Sequence, residues 1–511
     1  MSLDCSPLSE TSTEIVERAS VSDRVLAVGF IVALAVLSVA FNVWSRGFLE
    51  ADGVTHYLYA RWAFNFPWLF SDVWGRPIVT TLHALPAQIP GSIFGQPLGL
   101  IGVRLTSLVL AIGGVLVAWK VAAGQPEHER PSLAAVCTLA SPLVLLHSFA
   151  ELTELPFALM SIACLLLYQK KQWIWLALLG GFLPAARPEG IGFALMIFGG
   201  LILHRRWLAA PLVLVGPLAW ATAGWILGGH PYPADGSPLR PLADALPSAL
   251  QFVPGVLAWL PDHWPYSETS VYDSGPLLKF VGMLPAVTGS LLFPFMLLGA
   301  AISFIRWRDL LSDHLLRVRW IVAFIPLFVL FVHSLLHWTG KMASSGDVRY
   351  LVAVAPFWGL LAALGVERAM RWLRVRRVAL AAIVLAVLPW LALQARYPIV
   401  PLTMDAGSRN AEAVAGWWQS AESAELRERY PNLRVDHPVF RYRADTPPNT
   451  IDGRLLVERR PSGTVFLWDK IYSVYNADER LTVSPEVLLA NGWRDVTPQP
   501  FIDDWRVFAS E

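Results

Sequence analysis

Long apolar runs separated by short polar stretches occupy the chain up to about residue 395. The first run, 25–45, has the roughly 20 residues that a helix needs to cross the hydrocarbon core of a bilayer. Eleven such segments are predicted as helices from this pattern: 25–45, 98–119, 132–149, 155–168, 173–186, 190–203, 207–228, 281–305, 320–338, 351–367 and 378–395. From about Met404 onward the charge rises and the long apolar runs stop, which predicts a different kind of structure there.

Composition supports a protein that crosses the membrane many times. Of 511 residues, 55% are hydrophobic and 15% are charged, and the mean hydropathy is +0.48. These values are typical of polytopic membrane proteins. The net charge of +1 gives no bias toward nucleic acid. The three cysteines imply no disulfide framework. The N-terminal tail, 1–24, lacks the basic region of a cleavable signal peptide, so we expect the first span to remain as an anchor.

The distribution of lysine and arginine predicts the orientation. Alternate connections between the spans are rich in these residues and are therefore expected to be cytoplasmic: Lys120 and Arg130; Lys170 and Lys171; Arg205 and Arg206; Arg306, Arg308, Arg317 and Arg319; Arg368, Arg371, Arg374, Arg376 and Arg377. This assigns residues 1–24 to the cytoplasm, 25–395 to a transmembrane domain with external loops 46–97 and 229–280, and 396–511 to an extracytoplasmic domain.

Three neighbouring segments, 155–168, 173–186 and 190–203, are short for membrane spans. A helix of 14 residues is about 21 Å long, against a hydrocarbon core of about 30 Å. Basic residues fix their cytoplasmic ends, so their outer ends are expected to stop below the lipid surface. Glu154, Arg187 and Glu189 would then line a wet, protein-lined depression, because charge at that depth is tolerated only in such a cavity.

The C-terminal segment is predicted to be a small α/β domain. A helix is expected at 410–429, with strand-like runs at 433–442, 463–475 and 505–509. The segment has no phosphate-binding glycine loop, no metal-ligand spacing and no nucleophile elbow. A lid or acceptor-docking role is therefore favoured over an independent enzyme.

The first external loop carries the strongest candidate for acid–base chemistry. Asp52 follows Glu50 by two residues and precedes His56 by four, in an aromatic helix that includes Tyr57. A positioned carboxylate suits a general base. The alternative for Asp52 is an ordinary helix N-cap. Glu50 is left open as a helper, a metal ligand or a solvated group.

Two further external turns carry charges. In the first, Glu151 and Glu154 would share a face if helical, with helix capping as the alternative role. In the second, Arg187 and Glu189 flank a proline. Arg187 either forms a structural ion pair or holds a phosphate through its fork of donors.

A third external segment contains Lys341, Asp347 and the Arg349-Tyr350 pair. Interfacial anchoring explains Arg349 and Tyr350 equally well, but two arginines at one membrane face favour an anionic ligand. His56 and His83 do not have metal-ligand spacing, so the metal content stays unknown.

These motifs, in their order along the chain, resemble those of the GT-C superfamily of membrane glycosyltransferases, which includes protein O-mannosyltransferases and the aminoarabinose transferase of lipid A. The resemblance covers most of residues 25–395. The matching motifs are acidic, basic or aromatic residues at external helix ends: Glu50-x-Asp52, Tyr57-Leu58-Tyr59-Ala60, Thr153-Glu154, Arg187-Pro188-Glu189-Gly190 and Arg349-Tyr350 with Pro356. Many members carry two adjacent acidic residues in the first loop. Here Ala51 separates them, which leaves open whether Asp52 or Glu50 is the base and whether a divalent cation binds.

The resemblance implies an inner-membrane enzyme that moves a hexose or pentose from a polyprenyl-phosphate donor to an acceptor hydroxyl on a glycan, lipid or protein. Transfer would occur outside the cytoplasm with inversion. Asp52 would act as general base, and Arg187 and Arg349 would stabilise the leaving phosphate; Glu154, Glu189, His56, Tyr57 and Lys341 would complete the binding site. The alternatives are a transporter or flippase of a lipid-linked or anionic solute, which should carry charges near mid-span, and a non-catalytic partner subunit.

Overall fold

The computed structural model describes residues 9–230, 232–234, 237–263, 274–305, 314–340, 346–375, 377–378, 381, 383–385, 387–388, 391, 400–447, 460–475 and 483–510. Side chains are described from residue 24 onward, apart from those of 249, 474 and 475. Lys341 and most of the predicted segment 378–395 lie outside the described residues.

The first part of the chain is helical, with one short hairpin. Its helices are α1 Ser9–Trp44, α2 Ala51–Trp62, α3 Pro77–Ala87, α4 Leu98–Ala123, α5 Ser132–Leu139, α6 Pro142–His147, α7 Glu154–Gln169, α8 Trp173–Ala186, α9 Gly190–Leu203, α10 Val215–Leu227, α11 Arg240–Ala245, α12 Phe252–Asp262, α13 Lys279–Thr288, α14 Phe293–Phe304, α15 His314–Thr339 and α16 Ala355–Trp372. The hairpin pairs β1 Ser92–Ile93 with β2 Gln96–Pro97. Short 3-10 helices at Ala210–Leu214 and Val348–Val354 lead into α10 and α16.

Several helices can cross a membrane. Among the described residues, five are long and apolar enough, or six if the bent pair α13–α14 is one span. α7, α8 and α9 are shorter apolar helices, and α8 and α9 have the predicted bounds. The molecule is therefore a mostly helical, polytopic membrane protein.

Two predicted segments are broken rather than straight. The segment 281–305 bends by 108° between α13 and α14, where Gly289 adopts a positive φ of 85° that ends α13. The segment 132–149 divides into α5 and α6, because Ser141 caps a new helix that has Pro142 at its first position.

α16 lies inside the helix bundle. It belongs to the apolar span Val348–Trp372, whose most hydrophobic stretch is fully buried within the protein. It crosses α14 at two glycines. A Cβ on Gly299 would lie 1.8 Å from the Leu361 carbonyl oxygen, and one on Gly365 would lie 1.8 Å from the Phe295 carbonyl oxygen. Small residues at such crossings let two backbones approach, which favours packing where lipid provides no hydrophobic drive. This close crossing holds α14 and α16 together.

The C-terminal segment contains a four-stranded sheet and short helices. The strands are β3 Asn432–Val435, β4 Thr464–Asp469, β5 Arg494–Asp495 and β6 Trp505–Ser510, in the order β3-β4-β6-β5. Only the β3–β4 pair is parallel. The helices are α17 Ala406–Gln419, α18 Ala424–Arg429, α19 Pro438–Ala444, α20 Tyr472–Tyr475 and α21 Pro485–Ala490.

Three details of the C-terminal prediction are wrong. The helix expected at 410–429 is interrupted at Ser420, whose hydroxyl caps a short 3-10 turn. The strand expected at 433–442 ends at Val435, because His437 caps α19 and Pro438 begins it. The run 463–475 is a strand only to Asp469, whose carboxylate accepts the Ile471 and Tyr472 amides and starts α20.

The sheet shares a hydrophobic core with α2. Val54 and Tyr57 of α2 belong to the same buried cluster as Phe440 and Val465. At the other end of α2, Arg61 pairs with Asp445 at 3.5 Å. The C-terminal segment therefore holds the helix that begins beside Asp52.

Candidate active site

A cavity of about 640 Å³ opens between α2, α9, α15 and the segment that precedes α16. Its lining combines charged side chains with apolar residues, most of which come from α9 and α15 and are called the apolar wall below. The residues that line it are Glu50, Ala51, Asp52, His56, Trp74, Arg76, Leu152, Thr153, Glu154, Arg187, Pro188, Glu189, Ile191, Gly192, Phe328, Val329, Val332, His333, Leu336, Asp347, Arg349 and Tyr350. Seven of the nine predicted site residues lie here; Tyr57 does not line the cavity, and Lys341 lies outside the described residues.

Asp52 lies in the first turn of α2 and faces Arg349. An Arg349 Nη2–Asp52 Oδ2 contact of 2.5 Å joins them, and Asp347 holds the same guanidinium at 3.1 Å. Asp347 also accepts the Arg349 amide, which fixes the 3-10 turn that carries it. The Asp52 side chain is 43% exposed, whereas that of Arg349 is 13% exposed. Asp52 can therefore exchange its partner for water or a ligand.

The N-cap interpretation of Asp52 is wrong. α2 begins at Ala51, with Glu50 in the cap position in an extended conformation. Neither carboxylate forms a side-chain cap bond. Asp52 is instead a helical residue whose carboxylate is directed at Arg349.

Arg187 lies in the cavity wall and donates hydrogen bonds to three neighbouring side chains. Its Nη1 donates to Glu154 at 2.5 Å and to Thr153 at 2.7 Å, and its Nη2 donates to Glu189 at 2.8 Å. His333 contacts the same Glu189 carboxylate at 3.0 Å. α8 ends at Ala186 because the backbone of Arg187 is extended, and α9 begins two residues beyond Pro188. These contacts are the structural ion pair that the sequence allowed.

Glu151 is separated from Glu154, so the expectation of a shared helical face is wrong. Residues 151–153 are not helical, and α7 begins only at Glu154. The Glu151 carboxylate accepts a hydrogen bond from Arg104 in a pair whose side chains are 0% and 1% exposed. Arg104 also donates to the carbonyls of Ser45 and Gly47, in the loop that leads to α2. This buried pair therefore holds in place the loop that leads to α2 and Asp52.

Replacing Glu151 with glutamine is expected to destabilise the protein by about 3–5 kcal/mol, because the variant leaves the Arg104 charge buried and unpaired. Thermal unfolding of the purified protein in detergent measures the loss. Glu412→Gln is the matched control, since it breaks a contact with Arg443 in which Glu412 is 45% exposed and should cost less than about 1 kcal/mol. Equal melting temperatures for the two variants would contradict the role assigned to the buried pair.

His56 and Tyr57 lie on different sides of α2. His56 follows Asp52 by four residues and lines the same cavity. Burial lowers its pKa to about 4, so the imidazole is neutral at pH 7. Tyr57 is the next residue of α2, so its side chain points to another side of the helix. There it packs against Tyr442 of α19, with ring centroids 5.8 Å apart. Its place in the predicted binding set is not supported by this position.

Sequence reasoning missed three residues with polar side-chain atoms that line the cavity: Trp74, Arg76 and His333. His333 carried a usable signal, since a histidine within an apolar span is costly unless it faces a protein interior. Trp74 and Arg76 precede α3 in a loop between helices, where aromatic and basic residues are common. Only their position in the folded chain distinguishes them.

Within the described part of the chain, no group of three or more His, Cys, Asp and Glu side chains is arranged to hold a metal ion. The cavity carboxylates are instead each committed to a guanidinium or to a neighbouring carboxyl.

Glu50 lines the cavity and changes its charge near neutral pH. Partial burial and the neighbouring carboxylate of Asp347 raise its pKa to about 7. Glu50 is therefore protonated below pH 7 and negative above it. If it is not the base, its ionisation should repel an anionic ligand and lower the kcat/KM for a phosphate-bearing substrate several-fold as the pH rises through 7.

The Glu50→Gln variant should then keep its activity and lose this pH dependence. A pH profile of kcat/KM from pH 5.5 to 8.5 for both proteins provides the measurement. The opposite pattern, a wild-type rate that rises through pH 7 and an inactive Glu50→Gln variant, would identify Glu50 as the base in place of Asp52.

No protein-family model matches the chain, and a search of curated proteins gives no significant match. Solved structures do match. ArnT from Cupriavidus metallidurans bound to undecaprenyl phosphate aligns with a TM-score of 0.53 and 12% identity, over 94% of this chain and 97% of that one. The same protein in its apo state aligns with a TM-score of 0.48 and 13% identity, over 94% and 97% of the two chains.

An Archaeoglobus fulgidus oligosaccharyltransferase tethered with an acceptor peptide aligns with a TM-score of 0.48 and 11% identity. That alignment covers 83% of this chain and 63% of the other, so this chain spans less than two thirds of its length. The likeness to undecaprenyl-phosphate-bound ArnT is a likeness of fold. The chain therefore shares the fold of this membrane protein over nearly its whole length, in agreement with the fold that the sequence resemblance predicted.

Proposed function

We propose that this chain, which has the GT-C fold, is a membrane glycosyltransferase that moves a sugar from a polyprenyl-phosphate donor to an acceptor hydroxyl. One observation carries the proposal: Asp52 and Arg349, distant in sequence, meet at 2.5 Å in a cavity lined by both charged and apolar side chains. A base and a cation at one point suit a reaction that removes a proton and releases a phosphate. ArnT, the structural neighbour, was solved with undecaprenyl phosphate.

The proposed reaction is a single displacement with inversion. The acceptor oxygen forms a bond to the anomeric carbon, and the bond from that carbon to the phosphate oxygen breaks with its electron pair. Asp52 takes the acceptor proton as general base. The leaving group is a phosphate monoester, which is stable as an anion, so no acid catalyst is needed.

Arg349 is the cation best suited to the leaving phosphate. In the described contacts it is held by Asp52 and Asp347. A donor phosphate would compete with Asp52 for the guanidinium, whose planar fork matches phosphate oxygens. The same exchange would release the Asp52 carboxylate toward the acceptor, so donor binding would prepare the base.

Arg187 is given a supporting role in this proposal. Its donors contact Thr153, Glu154 and Glu189, and two carboxylates already neutralise its charge. It contributes to the electrostatic field at the phosphate and keeps the turn between α8 and α9 in place. Arg76, which also lines the cavity, adds a further positive charge there.

The apolar wall would receive the first isoprene units of the donor. Ile191 and Gly192 of α9 line the cavity together with Phe328 and Val332 of α15, and a Cβ on Gly192 would lie 3.1 Å from the Phe328 ring. Further along α9, Leu195 is 66% exposed and continues the apolar surface away from the charges. A substrate with a charged head and an apolar tail fits such a lining.

The proposal also includes the location of the protein, its sugar and its acceptor. We assign the protein to the inner membrane with eleven spans, the N-terminus in the cytoplasm and residues 396–511 outside it. The sugar is a hexose or pentose, and the acceptor is a glycan, lipid or protein. The distribution of basic residues supports this orientation.

The test is transfer by the purified protein reconstituted in vesicles with a panel of undecaprenyl phosphates that carry glucose, mannose, galactose or arabinose. The expected result is release of undecaprenyl phosphate together with a glycosylated acceptor from a membrane extract, both detected by mass spectrometry. Movement of an intact labelled donor between leaflets, without cleavage, would favour a flippase. Absence of both would contradict an enzyme and favour a partner subunit.

A further inference from the structure

The turn that precedes α3 carries Trp74 onto the wall of the cavity. The Asp72 carboxylate accepts the Gly75 amide at 2.6 Å, and the Thr80 hydroxyl donates to the Gly75 carbonyl at 3.1 Å. Arg76 has a positive φ of 61° and donates to the Val73 carbonyl at 2.6 Å. A non-glycine residue in this region stores backbone strain, which persists only where the surroundings enforce it. The position of Trp74 is therefore built into the fold.

Two aromatic side chains of α2 support the Trp74 ring. His56 stacks on it with ring centroids 4.9 Å apart and an interplanar angle of 17°. Tyr59 meets it edge-on at 5.6 Å. Tyr59 also packs so closely on the turn that a Cβ on Gly75 would lie 2.5 Å from its ring. His56 is buried, whereas Trp74 remains partly exposed and lines the cavity. One face of the indole is thus covered by protein, and its exposed surface belongs to the cavity.

This surface lies close to Asp52. Asp52 and His56 are four residues apart in α2, so they are neighbours on one helix face with Cβ atoms about 5–6 Å apart. Trp74 stacks directly on the second of them. A six-membered sugar ring against the indole would therefore have its anomeric carbon within reach of an acceptor oxygen held by Asp52.

The chemistry of the surface suits a sugar better than a phosphate. An indole presents a negative π face with no hydrogen-bond donor on it, which attracts weakly positive C–H groups and repels anions. A pyranose has such a C–H face. The neutral His56 behind the ring adds no charge. The phosphate, in contrast, requires a guanidinium group such as that of Arg349.

We propose that Trp74 is the stacking platform for the pyranose ring of the donor, and that its backing by His56 and Tyr59 sets sugar selectivity. The inference rests on the proposed glycosyltransferase function and adds a sugar subsite to it. Trp74 binds the sugar and takes no part in proton transfer.

The test compares binding of two ligands to the full-length protein in nanodiscs. One is undecaprenyl phosphate, and the other is the member of the sugar-bearing panel that the wild type binds most tightly. Trp74→Ala should lose about tenfold in affinity for the sugar-bearing carrier, and Trp74→Phe should lose less because a π face remains. Neither variant should change affinity for undecaprenyl phosphate. Trp175→Ala, which removes a tryptophan that is 64% exposed at the far end of α8, is the matched control.

Each other outcome overturns the inference in a recognisable way. Equal losses for both ligands, or no loss for either, would remove Trp74 from the sugar subsite while leaving the proposed function intact. Unchanged donor affinity with a raised KM for a glycan acceptor would assign the platform to the acceptor. A wild type that does not distinguish a sugar-bearing carrier from undecaprenyl phosphate, and transfers no sugar, would overturn the proposed function itself.

Discussion

Replacing Asp52 with asparagine is expected to lower the rate of sugar transfer by about 10²–10⁴-fold, the usual contribution of a positioned general base. The amide cannot accept the acceptor proton, yet it has the same shape and retains an oxygen that can accept from Arg349. Folding and membrane insertion should be unchanged, because Asp52 is 43% exposed and caps no helix. The measurement is single-turnover release of undecaprenyl phosphate by the reconstituted variant.

Two controls separate the loss of a base from the loss of an ion pair. Asp347→Asn removes the other carboxylate on Arg349 but leaves Asp52 in place, so its effect on the rate should be much smaller. Asp445→Asn breaks an exposed pair with Arg61 at the far end of α2 and should behave as the wild type. Full turnover by the Asp52→Asn variant would remove Asp52 from the base role and shift attention to Glu50.

Replacing Arg349 with glutamine is expected to lower kcat by about 10²–10³-fold, similar to the loss of one donor aimed at developing charge in other active sites. The guanidinium is 13% exposed, and a charge in such a shielded position acts more strongly than it would in water. Because the departing phosphate gains charge in the transition state, the loss should exceed the weakening of donor binding. Parallel measurements of kcat and of undecaprenyl-phosphate affinity test this split.

Arg349→Lys provides the graded comparison. Lysine keeps the charge but lacks the planar fork, so part of the rate should return. Arg61→Gln, which removes an arginine outside the cavity wall, is the control. An Arg349→Gln variant that binds more weakly but turns over at the wild-type kcat would show that Arg349 only captures the donor.

Arg187 provides a contrast that the same assays can detect. Both arginines were predicted from the sequence as phosphate ligands, yet their surroundings differ. Arg187 is 6% exposed and contacts two carboxylates and a hydroxyl, whereas Arg349 pairs with an accessible carboxylate. A loss of stability should therefore dominate the effect of replacing Arg187, and a loss of rate should dominate at Arg349.

Much of the site could be predicted because local sequence controls where helices end. The bounds of α8 and α9 follow from two apolar runs that are bordered by charged or proline residues. Arg187 and Glu189 lie between these two runs, so they are found together at the helix ends. The turn between the two helices is short, and contacts of Arg187 with Thr153 and Glu154 hold it in place.

Asp52 and His56 share a face of α2 because they are four residues apart. Tyr57, one residue further, points toward the C-terminal segment. Helical spacing alone could therefore have separated Tyr57 from the Asp52–His56 pair.

Other features depend on contacts between distant parts of the chain. No local pattern distinguishes Glu151, which is buried against Arg104, from Glu154, which faces the cavity. The bend at Gly289 likewise replaces the straight helix that hydrophobicity predicted.

By itself, the sequence determined that the chain is a polytopic helical membrane protein with charges gathered at one set of helix ends, because apolar length and the distribution of basic residues act locally against the lipid. The tertiary structure alone decided which charges share a cavity: it joined Asp52 to Arg349 across 297 positions, bound Arg187 to two carboxylates and brought Trp74 onto His56. Charges buried within a membrane protein are stable only with partners, and helix packing selects those partners from remote parts of the chain.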